Sequence, residues 1–160
     1  MAYDAKVVAN YFLDLAEHDQ IPVGPLKLQK LVYLAHGWYL VFFGKPLIEN
    51  EIEAWRYGPV VPSLYTAFKR FGASAITEKA VVPGNRPTLA EDARQLIEQV
   101  WNKYKKFSAS QLSTLTHEPG SAWHWTMKNS WPFEPLTISD ALIADEFQRR
   151  QQKANGRTAC

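Results

Sequence analysis

The residues of this 160-residue chain whose types can do chemistry are four histidines, one cysteine and three alternating glutamates, and their spacing argues against most of that chemistry. A helical zinc site of the metalloprotease kind needs two histidines four apart with a glutamate beside the first. His18, His36, His117 and His124 do not offer it: the nearest pair, His117 and His124, is seven apart across Pro119–Gly120, with Glu118 between. No metal and no cofactor is expected. His36 lies in the longest apolar run and reads as a buried imidazole hydrogen-bonded within the core. His117 follows a predicted helix, where its ring can satisfy terminal carbonyls. No G-x-S-x-G turn is present to expose a nucleophilic serine, and the only thiol, Cys160, ends a polar segment. One cysteine also excludes an internal disulfide framework and a cysteine metal cluster, which fits a cytosolic address. Glu49, Glu51 and Glu53 alternate with apolar residues, as a solvated strand face does. The eight glycines are scattered singly, without a phosphate-cradling loop. A hydrolase site assembled only in space around His36 or His117 stays open, but no local pattern argues for an enzyme, and none is expected.

Two basic stretches raise nucleic acid. Lys103, Lys105 and Lys106 close a predicted helix, where cations meet the negative end of its dipole, and "QRRQQK" lies near the C-terminus. Neither interleaves with aromatics as a stacking platform does. Eighteen cations against sixteen carboxylates leave a formal charge of +2, too balanced for a phosphate-backbone binder.

The elements that must carry these residues are mostly helical. Leu31 to Phe43, "LVYLAHGWYLVFF", falls short of the roughly 20 residues of a membrane span and contains His36. It reads as a central helix, started after Pro22, Gly24 and Pro25 and ended at Gly44–Pro46. Lys27 and Lys30 form the wet end of a stripe that dries out into Leu34, Gly37 and Val41. Asp4 is a cap for a first helix, and Ser63 to Phe71 predicts another after Pro62. Thr88 with Glu91, Ser108 with Gln111, and Thr137 with Asp140 are three capping-box signatures before apolar helical spacing. Strand signal is thin: "EIEAWRY" over Glu51 to Tyr57 ends at Gly58–Pro59, and Pro46–Ile48 and Ala80–Val82 are its candidate partners. The fold class expected is mostly α (α+β): one compact domain of five to seven helices around a buried central helix, with a two- or three-stranded antiparallel sheet. Residues 1–147 form the domain, and 148–160 a polar, frayed tail. The N-terminus runs straight into an amphipathic pattern, without a signal peptide.

Aromatics make up 13% of the chain and fall into three groups. Trp38, Tyr39, Phe42 and Phe43 belong to the central helix and read as core. Trp55, Tyr57, Tyr65, Phe68 and Phe71 build a strand–turn–helix corner at Gly58–Pro59. Trp123, Trp125, Trp131 and Phe133 lie in an irregular, proline-punctuated segment, for which core and interface both stand open.

Three motifs stand in order: "LKLQKLVYLAHGW" over Leu26 to Trp38, "AWRYGPVVPSLY" over Ala54 to Tyr65, and "LSTLTHEPGSAW" over Leu112 to Trp123. Together they resemble the Panacea domain family, the phage-associated, SocA-like antitoxins, from about Tyr3 to about Trp131. The matching positions are Leu28, Lys30, Leu31, Tyr33, Trp55, Gly58, Pro59, Tyr65, Thr116, His117 and Trp123. The resemblance implies a mostly helical, non-catalytic antitoxin, encoded on prophages or mobile elements beside a toxin gene and neutralising that toxin by protein–protein binding. Such a motif of turn and core residues specifies a scaffold and leaves partner choice to the variable surface. The candidate toxin-binding residues are Lys27, Lys30, Arg56, Tyr57, Trp125 and Trp131. A proteolytic adaptor delivering the toxin to a protease, and a mobile-element DNA-binding regulator, are the alternatives. The family loop often has proline before the tryptophan matched to Trp123, where this chain has Ala122. Many members carry a further, sometimes DNA-binding, segment; the chain starts at the domain and ends shortly after it, so direct operator binding is not expected.

Overall fold

Asp4 caps the first helix as its sequence position predicts: its carboxylate accepts the Lys6 backbone N–H at 2.9 Å. In a computed structural model, which describes residues 2–130 and 136–158, this helix is α1, Ala5–Asp19. Pro25 at its first turn starts α2, Pro25–Phe43, and Gly44 stops it with φ 68°. Every residue of α2 from Lys27 to Tyr39 is buried. A helix covered on all sides must sit inside the domain.

Its cover comes from the rest of the chain. A hairpin of β1, Glu53–Trp55, and β2, Gly58–Val60, pairs antiparallel with Trp55 opposite Gly58, leaving Arg56–Tyr57 as the tip. Then come α3, Pro62–Phe68, continued by a 3₁₀ turn over Lys69–Phe71, and α4, Glu91–Tyr104. The last three are α5, Ala109–Thr116, α6, Ala122–Ser130, and α7, Asp140–Thr158. The described residues thus form seven helices, α2 and six others, with one two-stranded sheet. α1, α3, α4, α5, α7 and β2 all pack on α2. Gly37 permits the closest of these approaches: a Cβ there would lie 2.3 Å from the Phe147 ring of α7.

Several boundaries differ from the sequence reading. Ser108 and Gln111 complete their capping box. Thr88 and Glu91 do not: Ala90 is the cap residue, its N–H held by the Tyr3 phenol at 3.1 Å, and α4 starts later. Thr137 is drawn into a bridge with Glu53, so Ser139 supplies the hydroxyl at the start of α7, 3.2 Å from the Leu142 N–H. Of the two candidate partner strands, Ile48 makes only an isolated parallel bridge with Tyr3. Ala80–Val82 forms no strand, because the Asn10 side-chain amide satisfies both backbone groups of Ala80, at 2.9 and 2.8 Å. The segment expected to be irregular is helical over α6; Trp131 and Phe133 lie outside the described residues. The segment from Gln148, expected to fray, continues α7 to Thr158. No helix among the described residues is long and apolar enough to cross a membrane.

Candidate functional site

A two-stranded hairpin is marginal by itself, and its unpaired carbonyls invite other strands. Here three helices occupy them. From α2, the Lys30 ammonium donates to the Pro59 carbonyl at 2.8 Å. Gln29 beside it forms a two-way bond with Val61, donating at 3.1 Å and accepting at 2.8 Å. From α5, the Ser113 hydroxyl donates to the Tyr57 carbonyl at 2.6 Å. From α6, the Trp123 indole N–H donates to the Trp55 carbonyl at 2.6 Å. The pairing edge of β1 is taken by the backbone: Ala54 donates to Leu136 at 2.8 Å, and Ile138 donates to Ile52 at 2.7 Å.

Gly58 is the tightly packed point of this clamp. Its φ is 115°, and an added Cβ would stand 3.1 Å from the Lys30 Nζ and 3.2 Å from the Thr116 Oγ1. Thr116 folds its hydroxyl onto its own helix, 2.9 Å from the Leu112 carbonyl, so the oxygen that walls the turn already has its acceptor. The His117 ring meets Trp123 edge-on at 5.1 Å. Its backbone N–H closes α5 onto the Ser113 carbonyl at 3.2 Å, and its ring Nδ1 lies 3.5 Å from the Ser113 hydroxyl. The described hydrogen bond of Lys30 goes to a carbonyl and not to a carboxylate, so desolvation pushes its ammonium from 10.5 down to about 7.

What the clamp leaves outside is the tip. Arg56 and Tyr57 are exposed, with the guanidinium 5.4 Å from the Tyr57 ring centre. Trp55 meets Tyr65 edge-on at 5.0 Å. Tyr57, Tyr65 and Leu26 are 59%, 48% and 37% exposed. Together with Pro25 and Lys69 they line a groove of about 450 Å³. This concentration of accessible aromatic and apolar surface beside two cations has the composition of a protein contact patch.

Two candidate contacts are corrected. Lys27 and Lys30, expected on a wet face, are both buried. Lys27 donates to the Lys105 carbonyl, the residue that closes α4, at 2.5 Å, a cation set on a helix C-terminus. The first turn of α2 is covered by the end of α4 and by the hairpin, which periodicity cannot reveal. Trp125 is 37% exposed on α6, edge-on to His124, and does not line the groove. Trp131 lies outside the described residues. Of the family positions, Leu28, Lys30, Leu31, Tyr33, Gly58, Pro59 and Thr116 are buried, Trp55, His117 and Trp123 are half-buried, and Tyr65 is exposed. The first aromatic group is not all core: Phe42 and Phe43 are 52% and 41% exposed.

A second knot was missed in the sequence. Glu146 of α7 is buried and accepts from the Tyr33 phenol at 2.8 Å, the Ala122 N–H at 2.9 Å and Arg150 at 2.7 Å. Burial, then the neighbouring Glu146 carboxylate, raises the Tyr33 phenol well above its usual range. Ala122 is the first residue of α6, and proline there would lack the N–H that Glu146 accepts. The i,i+4 spacing of Glu146 and Arg150 is the one local signal for this knot. His36 is closed in the core: its Nε2 is 2.8 Å from Asp140, and its Nδ1 accepts the Ile48 N–H at 3.3 Å. Among the described residues no cluster of three or more His, Cys, Asp or Glu side chains is placed to hold a metal.

Comparison with known proteins bears on the same residues. The chain matches the family described as antitoxin SocA-like, Panacea domain, over residues 28–124, a span that holds all the motif positions named above. It is similar to Antitoxin SocA of Caulobacter vibrioides (strain NA1000 / CB15N), 39% identical over 155 residues that cover 91% of this chain and 82% of the relative. No solved structure matches.

Proposed function

The chain belongs to the SocA-like Panacea antitoxin family, and from that premise we propose that it is a non-enzymatic, cytoplasmic antitoxin that holds a cognate toxin inactive by direct binding. The observation that carries this reading is the direction in which the family positions face. Most of them face inward and lock a hairpin, while Arg56, Tyr57 and the groove beside them, with family positions Trp55 and Tyr65 on its wall, stay open. A fixed clamp with an accessible tip suits a scaffold on which partner choice is set by a few outer side chains. The toxin contacts Arg56 and Tyr57 and inserts an apolar residue between Leu26, Trp55 and Tyr65; Trp125 and Trp131 are further candidate contacts from the sequence. Lys27 and Lys30 act from beneath, by holding the hairpin and the end of α4 in place. A standard interface buries about 1,600 Å² in total, more than the tip alone supplies, so flanking residues of α3 also take part.

The experiment is co-expression with the protein encoded by the adjacent gene. That protein alone is expected to arrest growth, and this chain to restore it. A harmless neighbour, or no rescue, contradicts the reading. Delivery to a protease is the second reading, favoured by the exposed last turns of α7, residues 152–156.

A further inference from the structure

The two basic stretches that stand far apart in the sequence meet in space. Lys103, from the end of α4, and Arg149 and Lys153, from α7, line one cleft of about 500 Å³. A second hollow, of about 370 Å³, adjoins it at the last turns of α7 and is walled by Phe42, Leu96 and Val100. Trp38, Lys103, Tyr104 and Ala154 line both, so the two are halves of one trough. One half is basic and the other apolar.

The charges in the basic half are unevenly paired. Its two carboxylates, Glu118 and Glu146, both face Arg150, at 3.7 and 2.7 Å. Arg149 pairs with Asp145 at 3.1 Å, an exposed bridge of little strength. Lys103 has aromatic rings as its described partners, 5.0 Å from the Trp38 centre and 5.3 Å from Tyr104. Lys103 and Lys153 are both exposed, and neither meets a carboxylate among the described residues. Lys105, by contrast, is held by Asp19 at 3.1 Å and contributes nothing here.

We propose that this trough is a docking site for a short acidic segment of a protein partner, with carboxylates on Lys103 and Lys153 and a large apolar side chain against Trp38, Phe42 and Val100. Charge complementarity sets the register, and the aromatic floor supplies burial. A nucleic acid fits less well. Tracking a phosphate backbone takes several cations in a row, which this cleft does not present. The site is separate from the hairpin tip and does not depend on the toxin contact assigned there.

Fluorescence anisotropy with the full chain tests it. The probes are a labelled acidic peptide with a central Leu–Phe pair, the same peptide with lysine in place of each acid, and a labelled single-stranded oligonucleotide. The acidic peptide is expected to bind, the lysine peptide not to, and raised salt to weaken binding. Lys103→Glu combined with Lys153→Glu should weaken it at least about tenfold, with an unchanged circular dichroism spectrum. Phe42→Ser is expected to weaken it several-fold through the apolar half. Absence of acidic-peptide binding, equal binding of the lysine peptide, indifference to these variants, or preference for the oligonucleotide each overturns the proposal.

Discussion

Lys30 carries the heaviest electrostatic load in the hairpin clamp. It is fully buried, and desolvation lowers its ammonium from 10.5 to about 7. Below pH about 7 the folded and unfolded chains both hold the proton, and the full burial penalty stands. Between about 7 and 10.5 the folded lysine is neutral while the unfolded one is charged, so the unfolded chain binds more protons and stability rises with pH. Lys30→Met removes that contribution and leaves the Pro59 carbonyl without its donor. Urea unfolding is therefore expected to favour the methionine variant more at pH 6 than at pH 9, and parallel pH curves for the two proteins would contradict this. The sequence placed Lys30 in a motif but on a wet stripe, because side-chain spacing shows which face of α2 a residue occupies and not what covers that face. The Trp123–Trp55 bond joins residues 68 apart, and nothing local announces it.

At the scale of elements, α2 was legible because its apolar run, Leu31 to Phe43, contains nine of its thirteen consecutive buried positions, Leu31 to Tyr39. Its neighbours were legible as helices but not as a packing order. Gly37 decides one contact: the Phe147 ring stands where a Cβ would be, 2.3 Å away, and that ring also meets Tyr33 and Trp38 edge-on at 5.6 and 5.2 Å. Gly37→Ala must push α7 off α2 or force Phe147 out of its rotamer. Overpacking of this kind costs about 1–3 kcal/mol, which for a domain of this size lowers Tm by several degrees. An unchanged melting curve would show that α7 docks loosely. The capping boxes at Thr88 and Thr137 misled because tertiary partners, Tyr3 and Glu53, moved the helix starts. The aromatic stretch after Pro119 read as irregular because its helix α6 is short and carries no capping signature of the kind at Ser108.

For the whole molecule, the balanced composition hid an uneven surface: a net charge of +2 coexists with a basic trough under α7 and a mixed aromatic and cationic hairpin tip. The buried family positions form the scaffold, and under the proposed function the tip is the surface that meets the partner. The last turns of α7 separate blocking from delivery. A cut must come after Arg150, which holds Glu146 and the Leu115 carbonyl. Deletion of residues 154–160 is expected to leave growth rescue intact if neutralisation is by occlusion, and to abolish it if the arm is the handle for a protease. The most direct test of the central claim is the affinity of the purified chain for its toxin, measured by titration calorimetry for wild type and for the Arg56→Glu, Tyr57→Ser double variant. Both side chains are exposed, so the variant is expected to fold normally and to bind at least about a hundredfold more weakly, as loss of a central contact pair does. Wild-type affinity in a correctly folded variant would contradict the assignment of the hairpin tip as the toxin-binding surface.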